Sequence, residues 1–431
     1  MPVPSPRLLI ASFAVALPIA ALGGMFPALM AACAVALAIC VAIAALDALS
    51  AIRRMEGVTL RTPPFLRFTK DVAAVVPVTV ENRGASCLLR LGINLPTGIE
   101  TAAPTLDVAA PAGASVVDWP CTPRARGDHP LPELYVEGGS PLGLWLVRRP
   151  RAVDFHFRVY PNLRDRATAS LFLRTANAGM RVRRQVGKGR EFENLRHYLP
   201  GDSFEDIHWK ATAKRGFPAV KQFRVEHAQE VYAVIDSSRL SAREGILDSF
   251  VDAALHLALV AEKQGDRFGL VTFSNVTDHF VRARNGMDHF RRCRETIYNL
   301  APRRVSPDFR DAFTSLQLNV RRRSLIVFFT SLDDALLAEN FERDVGLLAR
   351  RHVVLVNGIR TAALRPLYAG PDVADLDEVY AGLAGQMLSN RMRTLELELG
   401  NRGVRFAIAE AADLKRQVTS GYLDVKRRQL L

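Results

Sequence analysis

Two segments of this 431-residue chain combine acids, hydroxyls and bases at spacings that could support chemistry. The first is Asp236-Ser237-Ser238-Arg239-Leu240. A hard cation such as Mg²⁺ takes several oxygen ligands, and an Asp-x-Ser-x-Ser loop at a strand end can offer three of them. Here the third position is Leu240, which has no oxygen to give. The fourth strand of the same sheet reads Phe329-Thr330-Ser331-Leu332-Asp333-Asp334, with Ser331 where an acid is wanted, and Ser306-Pro307-Asp308-Phe309 lacks a Thr at the matching loop position. Asp236 and Ser238 are therefore a degenerate metal loop: no cofactor is expected, beyond weak binding of a divalent cation.

The second segment contains Asp202, Glu205, Asp206 and Lys210, which could be drawn as a metal-dependent hydrolase or nuclease site that activates water. Against it, Ser203 followed by Asp206 has the form of a helix-capping box, and nearby arginines can pair with the acids. His197, His208 and His227 are too irregularly spaced for a metal site. Gly187-Lys188-Gly189-Arg190 lacks the frame of a phosphate loop. The five cysteines include no CxxC pair and match neither a zinc module nor a disulfide framework. Arg181, Arg183, Arg184, Lys188 and Arg190 could meet phosphates, but no nucleic-acid-binding motif accompanies them, so nucleic acid is not the expected partner.

The elements that must position these residues follow from periodicity. From Leu8 to Phe26 and again from Pro27 to Leu46 no charge occurs, and each run is long enough to cross a bilayer core of about 30 Å. Gly23, Gly24 and Pro27 should break the helix between them into a hairpin. Arg7 precedes the hairpin, and Arg53, Arg54, Arg61, Arg67 and Lys70 follow it, which places both flanks in the cytosol. If Leu8–Leu22 were instead a signal peptide, that Arg cluster would still hold the body of the chain in place. The net charge of +13 suits anionic lipid, nucleic acid or an acidic protein without choosing among them.

From Val58 to Pro161, short β-rich runs alternate with Pro and Gly, as in a small β-sandwich, with one hairpin strand expected at Leu134–Glu137. The spacing of Phe204, Ile207 and Ala211 predicts a helix from Ser203 to about Lys214, stopped by Gly216 and Pro218, and Pro200-Gly201 fits a type II turn. After Glu230, strands at Val231–Ile235, Phe268–Phe273, Leu325–Phe329, His352–Val356 and Val404–Ala409 alternate with helices. Those helices include Ala242–Lys263, Asp288–Leu300 and Leu376–Leu399. This pattern gives a doubly wound α/β domain. The chain thus divides into a hairpin and basic flank (1–54), a sandwich (55–165), a dense motif segment (166–230) and the α/β domain (231–431).

The motif segment resembles the bacterial domain of unknown function 58 family, membrane-anchored proteins with a von Willebrand factor A-like domain. The residues that carry the resemblance are Gly189, Glu191, Phe192, Leu195, Arg196, Tyr198, Pro200, Gly201, Asp202, Trp209 and Lys210. Arg126-Gly127, Pro141-Leu142-Gly143-Leu144 and Tyr422-Leu423 extend it to either side. The resemblance implies an inner-membrane scaffold with no activity of its own. Its partners would be MoxR-class AAA+ ATPases and other von Willebrand factor A proteins, acting in the assembly or maturation of other complexes. Leu240, Pro307 and Ser331 depart from the metal loop the resemblance implies. The segment from Gly201 to Lys210 is expected to be structural first. A buried Trp209 ring would cost about 3 to 5 kcal/mol on removal, whereas an exposed one would be free for a partner.

Overall fold

The computed structural model describes residues 2–162, 186–200, 202–224, 228–243, 245–361, 364 and 376–430. They fall into two compact units, Met1–Asn162 and Leu163–Leu431.

The first unit opens with β1 (Pro2–Pro4) and two apolar helices, Pro6–Met25 and Met30–Glu56, each long and apolar enough to cross a membrane. The first helix loosens to a π-helical turn at Ser12–Ala16. Gly23 and Gly24, expected to break the pattern, stay helical, and the chain turns only at Phe26–Leu29. The two helices approach closely at Gly23, where a Cβ would stand 3.0 Å from the Cys33 Cβ. The second helix runs past the uncharged stretch to Glu56, and Asp47, Ala51 and Met55 are buried.

Nine strands follow: β2 (Val58–Arg61), β3 (Phe65–Thr69), β4 (Ala74–Asn82), β5 (Cys87–Ile93) and β6 (Ile99–Glu100), then β7 (Thr105–Ala110), β8 (Gly113–Pro123), β9 (Gly127–Gly139) and β10 (Trp145–Tyr160). One sheet has the order β1-β10-β9-β5-β7, with β3 also on β10, and the other has β2-β4-β8-β6. Alternate residues of β4, Val76, Val78 and Val80, are buried with Leu91, Val136 and Phe157, which is how two half-buried sheets make one core. The expected strand at Leu134–Glu137 is the middle of the much longer β9. Its partner register on β10 slips between Ala152 and Phe155, where a bulge bends the ribbon.

In the second unit β11 (Val186–His197) pairs with β12 (Ala219–Arg224). A six-stranded sheet then contains β13 (Glu230–Asp236), β14 (Arg267–Phe273), β15 (Thr277–Arg284), β16 (Leu325–Phe329), β17 (Val353–Ile359) and β18 (Val404–Ala409). The order is β15-β14-β13-β16-β17-β18, parallel except for β15, which sequence periodicity missed. On β13, Val231, Ala233 and Ile235 pack under helices Ile246–Lys263, Met287–Ile297 and Leu414–Arg427. Tyr232 and Val234 face helices Phe309–Asn319, Ala335–Ala349 and Leu376–Asn401 on the other side. This alternation accounts for the unbroken apolar runs and establishes the doubly wound α/β class. Strand order reverses between β13 and β16, so a switch-point crevice lies beyond Asp236 and Phe329.

Candidate functional site

The crevice is closed by the protein's own side chains. Asp236 is fully buried: its Oδ1 accepts from the Ser238 amide at 2.8 Å and its Oδ2 from the Thr330 hydroxyl at 2.6 Å. Burial pushes its carboxyl above the ordinary range, and the hydrogen bonds from Thr330 and Ser238 oppose that shift. Ser238 Oγ accepts from the Leu240 amide at 3.3 Å, and so initiates the short turn Arg239–Ser241. Leu240 is buried among apolar residues.

Above this layer Arg239 donates to Asp334 at 2.8 Å and to Ser306 at 3.1 Å, and Arg243 to Asp333 at 2.6 Å. Ser331 Oγ is turned to Asp333, 2.9 Å away. The hydrogen bond from Arg239 holds the Asp334 carboxyl below the usual range. The donor set does not fit a resident cation. Leu240 offers hydrocarbon, Ser331 pairs with Asp333, and the Thr330 hydroxyl is committed to Asp236. Sequence reasoning picked Ser331, one residue away from Thr330, and missed the arginines that close the mouth.

The motif segment makes a separate structure. The backbones of Gly189, Glu191 and Phe192 lie in β11, where Glu191 pairs with Arg224 and Phe192 with Phe223. Leu195 pairs with Lys221, Arg196 with Val220 and His197 with Ala219. Arg196 grips Asp202 with two parallel bonds of 2.7 and 2.6 Å, and Asp202 also accepts from the Leu199 amide at 2.8 Å. The Asp202 amide returns to the Leu199 carbonyl at 3.0 Å, closing a turn over Pro200. Gly201, on which the turn type depends, lies outside the described residues, as do Arg181, Arg183, Arg184 and His227. His197 stacks on Phe217 at 4.0 Å and Tyr198 leans on Phe204 at 6.0 Å.

The expected helix from Ser203 to Lys214 is divided in two. Phe204–Asp206 form a single 3₁₀ turn, Ser203 makes no cap bond, and the helix spans Trp209–Arg215. The cause is Ile207, which leaves the helical path to bridge Val220 and is buried. His208 then becomes the cap, its Nδ1 accepting from the Ala211 amide at 3.1 Å. Gly216 ends the helix at φ 74°, as the sequence suggested.

The Trp209 ring is 66% exposed, so it does not fill the core position considered for it, and Phe204 (71%) and Leu199 (58%) are also open. Lys210 is exposed beside Trp209. Three large apolar side chains are thus open on and just after a turn braced by an ion pair: Leu199 in the turn, Phe204 in the 3₁₀ turn and Trp209 at the start of the helix. The hydrogen bond from Arg196, and next that from the Leu199 amide, hold the Asp202 carboxyl below its ordinary value. A depressed carboxyl contributes stability above about pH 4 that is lost as pH falls through the folded value. Limited proteolysis should therefore leave the turn intact at neutral pH and open it only below about pH 4. Arg196→Gln should be cleaved there already at pH 7, and equal resistance in that variant would refute the brace.

Residues 194–365 match the family described as Protein of unknown function DUF58. That segment begins within β11, ends past β17, and includes the crevice and the motif residues from Leu195 to Lys210, while Gly189, Glu191 and Phe192 precede it. Uncharacterized proteins of Mycobacterium bovis and Mycobacterium tuberculosis are 28% identical over 241 residues, covering 54% of this chain and 72% of theirs. Among solved structures, the SpRpn10 VWA domain is similar at 12% identity and TM-score 0.28, over 44% of this chain and 95% of that one. Proximal thread matrix protein 1 from the mussel byssus is similar at 11% identity and TM-score 0.27, over 46% and 45%. The strand order of the sheet, rather than these likenesses, carries the fold.

Proposed function

We propose that the chain is a membrane-anchored scaffold without turnover of its own. The apolar hairpin holds it in the bacterial inner membrane with the soluble part on the cytoplasmic side, and the segment from Leu199 through Phe204 to Trp209 docks protein partners. A MoxR-class AAA+ ATPase is the first partner to look for, with assembly or maturation of another complex as the outcome. The exposure of Trp209 and Phe204 on a braced turn carries this reading, because buried aromatic anchors dominate binding energy once a partner covers them. The orientation is supported by Arg53, Arg54, Arg61 and Arg67 following the hairpin against Arg7 before it. A hydrolase built on Asp202 would need that carboxylate free, and both its oxygens are held by Arg196.

Capture of the tagged full chain from native membranes in mild detergent, with identification of what accompanies it, tests the reading. An AAA+ ATPase is the expected companion. Its absence, or substrate turnover by the purified chain alone, would count against the scaffold.

Mg²⁺ should matter little to this function. A site with millimolar affinity adds only about 1.4 kcal/mol at ten times its Kd. Titration of Mg²⁺ or Mn²⁺ against the full chain in detergent should move its melting point by only a few degrees. A tight, saturable stabilisation abolished by Asp236→Ala would reverse the reading of the crevice.

A further inference from the structure

Between the two apolar helices runs a groove of about 290 Å³, lined by Leu8, Ala11, Val15, Leu37, Val41 and Leu144. Leu144 belongs to the loop that joins β9 to β10, and that loop is fastened to the helices at several points. Ser5 donates to the Gly143 carbonyl at 2.6 Å, and its amide to Leu144 O at 2.9 Å. The Leu142 amide donates to Asp47 at 3.0 Å and the Trp145 indole to the Ala44 carbonyl at 2.8 Å. The end of the groove is therefore fixed in the plane where both apolar runs stop.

Arg7 sits in that plane. Its neighbour Leu8 and Gly143's neighbour Leu144 both line the groove, and the Arg7 guanidinium covers Gly143 so closely that a Cβ there would stand 2.9 Å from it. Gly143 has φ +73°, which favours glycine, and a Cβ there would have to displace the guanidinium. Arg7 is exposed, and among the described residues no carboxylate lies within ion-pair distance of it. An apolar groove ending at an unneutralised guanidinium, on helices of bilayer length, is complementary to an amphiphile with a phosphate head.

We propose that this groove holds one phospholipid, its acyl chain between the helices and its phosphate on Arg7. The occupant is lipid rather than a further helix because the groove runs along helices of bilayer length and the exposed guanidinium at its end stands where both apolar runs stop, at the level a headgroup would occupy. An acyl chain gains no hydrophobic energy in moving from bulk lipid to a groove, so residence depends on the phosphate contact. Arg suits that contact through its planar fork of donors.

The full chain in mild detergent, mixed with phosphatidylglycerol or with a diacylglycerol of the same chains and weighed by native mass spectrometry, tests the site. One phosphatidylglycerol should stay bound, with diacylglycerol retained at least tenfold less. Arg7→Gln and Gly143→Ala should each lower phosphatidylglycerol retention about tenfold, and Arg83→Gln, at a residue whose amide bonds the Gly57 carbonyl beyond the end of the second helix and which does not line the groove, should leave it unchanged. Equal retention in Arg7→Gln, or no preference over diacylglycerol, overturns the proposal. So does crosslinking of Cys40, which lines the groove, to another protein helix in native membranes of a Cys33→Ser strain. The proposal rests on the membrane reading, and alkaline carbonate separates the two. Release of the chain sinks the anchor itself, whereas a chain that resists extraction yet ignores Arg7 sinks only the lipid site.

Discussion

Trp209→Ala combined with Phe204→Ala is expected to reduce capture of the proposed ATPase partner by at least about 30-fold while leaving the melting point of the chain unchanged. The first half follows from anchor energetics: loss of an interface hot spot costs 2 kcal/mol or more, and each 1.4 kcal/mol is tenfold in affinity. The second half follows from exposure. At 66% and 71% open, these rings contribute little to folding, and surface substitutions of this kind stay within about 0.5 kcal/mol. The Arg196–Asp202 brace and the Ile207 bridge remain in place, so the turn keeps its shape. Capture by the double variant at the wild-type level would remove the turn as the docking surface. A fall in melting point of several degrees would restore the structural reading of Trp209.

Asp266→Ala should produce the largest loss of stability in the α/β domain. Asp266 is buried at the start of β14 and accepts from the Gln229 amide at 3.1 Å, from Lys426 Nζ at 2.8 Å and from the Tyr422 hydroxyl. Tyr422 and Lys426 belong to the closing helix Leu414–Arg427, so this one carboxylate ties the end of the chain to the edge of the first β-α-β unit. Burial, and next the Asp266 charge, push the Tyr422 hydroxyl above its ordinary pKa, so it remains a donor at neutral pH. Removing one partner of a buried, charged network costs about 3 to 5 kcal/mol. In a domain of this size that corresponds to a drop on the order of 10 °C in melting of the full chain. Tyr422→Phe keeps the ring packing and loses one hydrogen bond, so it should cost only about 1 to 3 kcal/mol. Equal, small effects from both would show that the helix is held by its apolar face alone.

Which parts of this architecture were legible in the sequence follows from where the deciding contacts lie. Leu325–Phe329 and Val404–Ala409 match the sequence reading to the residue: the first is covered on both faces and so is an unbroken apolar run, and the second, at the sheet edge, keeps mostly apolar residues around the half-buried Arg405. Thr277–Arg284 escaped notice because an antiparallel edge strand exposes half its residues, and its Asp278, His279, Arg282 and Arg284 look like loop. The helix from Ser203 failed for another reason: local spacing favoured it, but Ile207 gains a strand partner in Val220, far along the chain, and the long-range pairing wins. Thr330 and Ser331 differ by one position, and in an extended segment that decides which of them points toward Asp236. The Arg196–Asp202 fork joins residues across a turn, where spacing alone names candidates and no pair.

The second apolar helix continues without interruption from Met30 to Glu56, and its last ten residues are built into the sandwich through Asp47, Ala51 and Met55. Arg151 adds a bond to the Met55 carbonyl, and β1 pairs with β10 from the other flank. No swivel separates the apolar hairpin from the first folded body. With the hairpin in a bilayer, the bearing of the sandwich about the membrane normal is geared to the phase of this helix, at about 100° for each residue added or removed. A load applied to the sandwich would be transmitted as torque into the lipid, as through a keyed shaft.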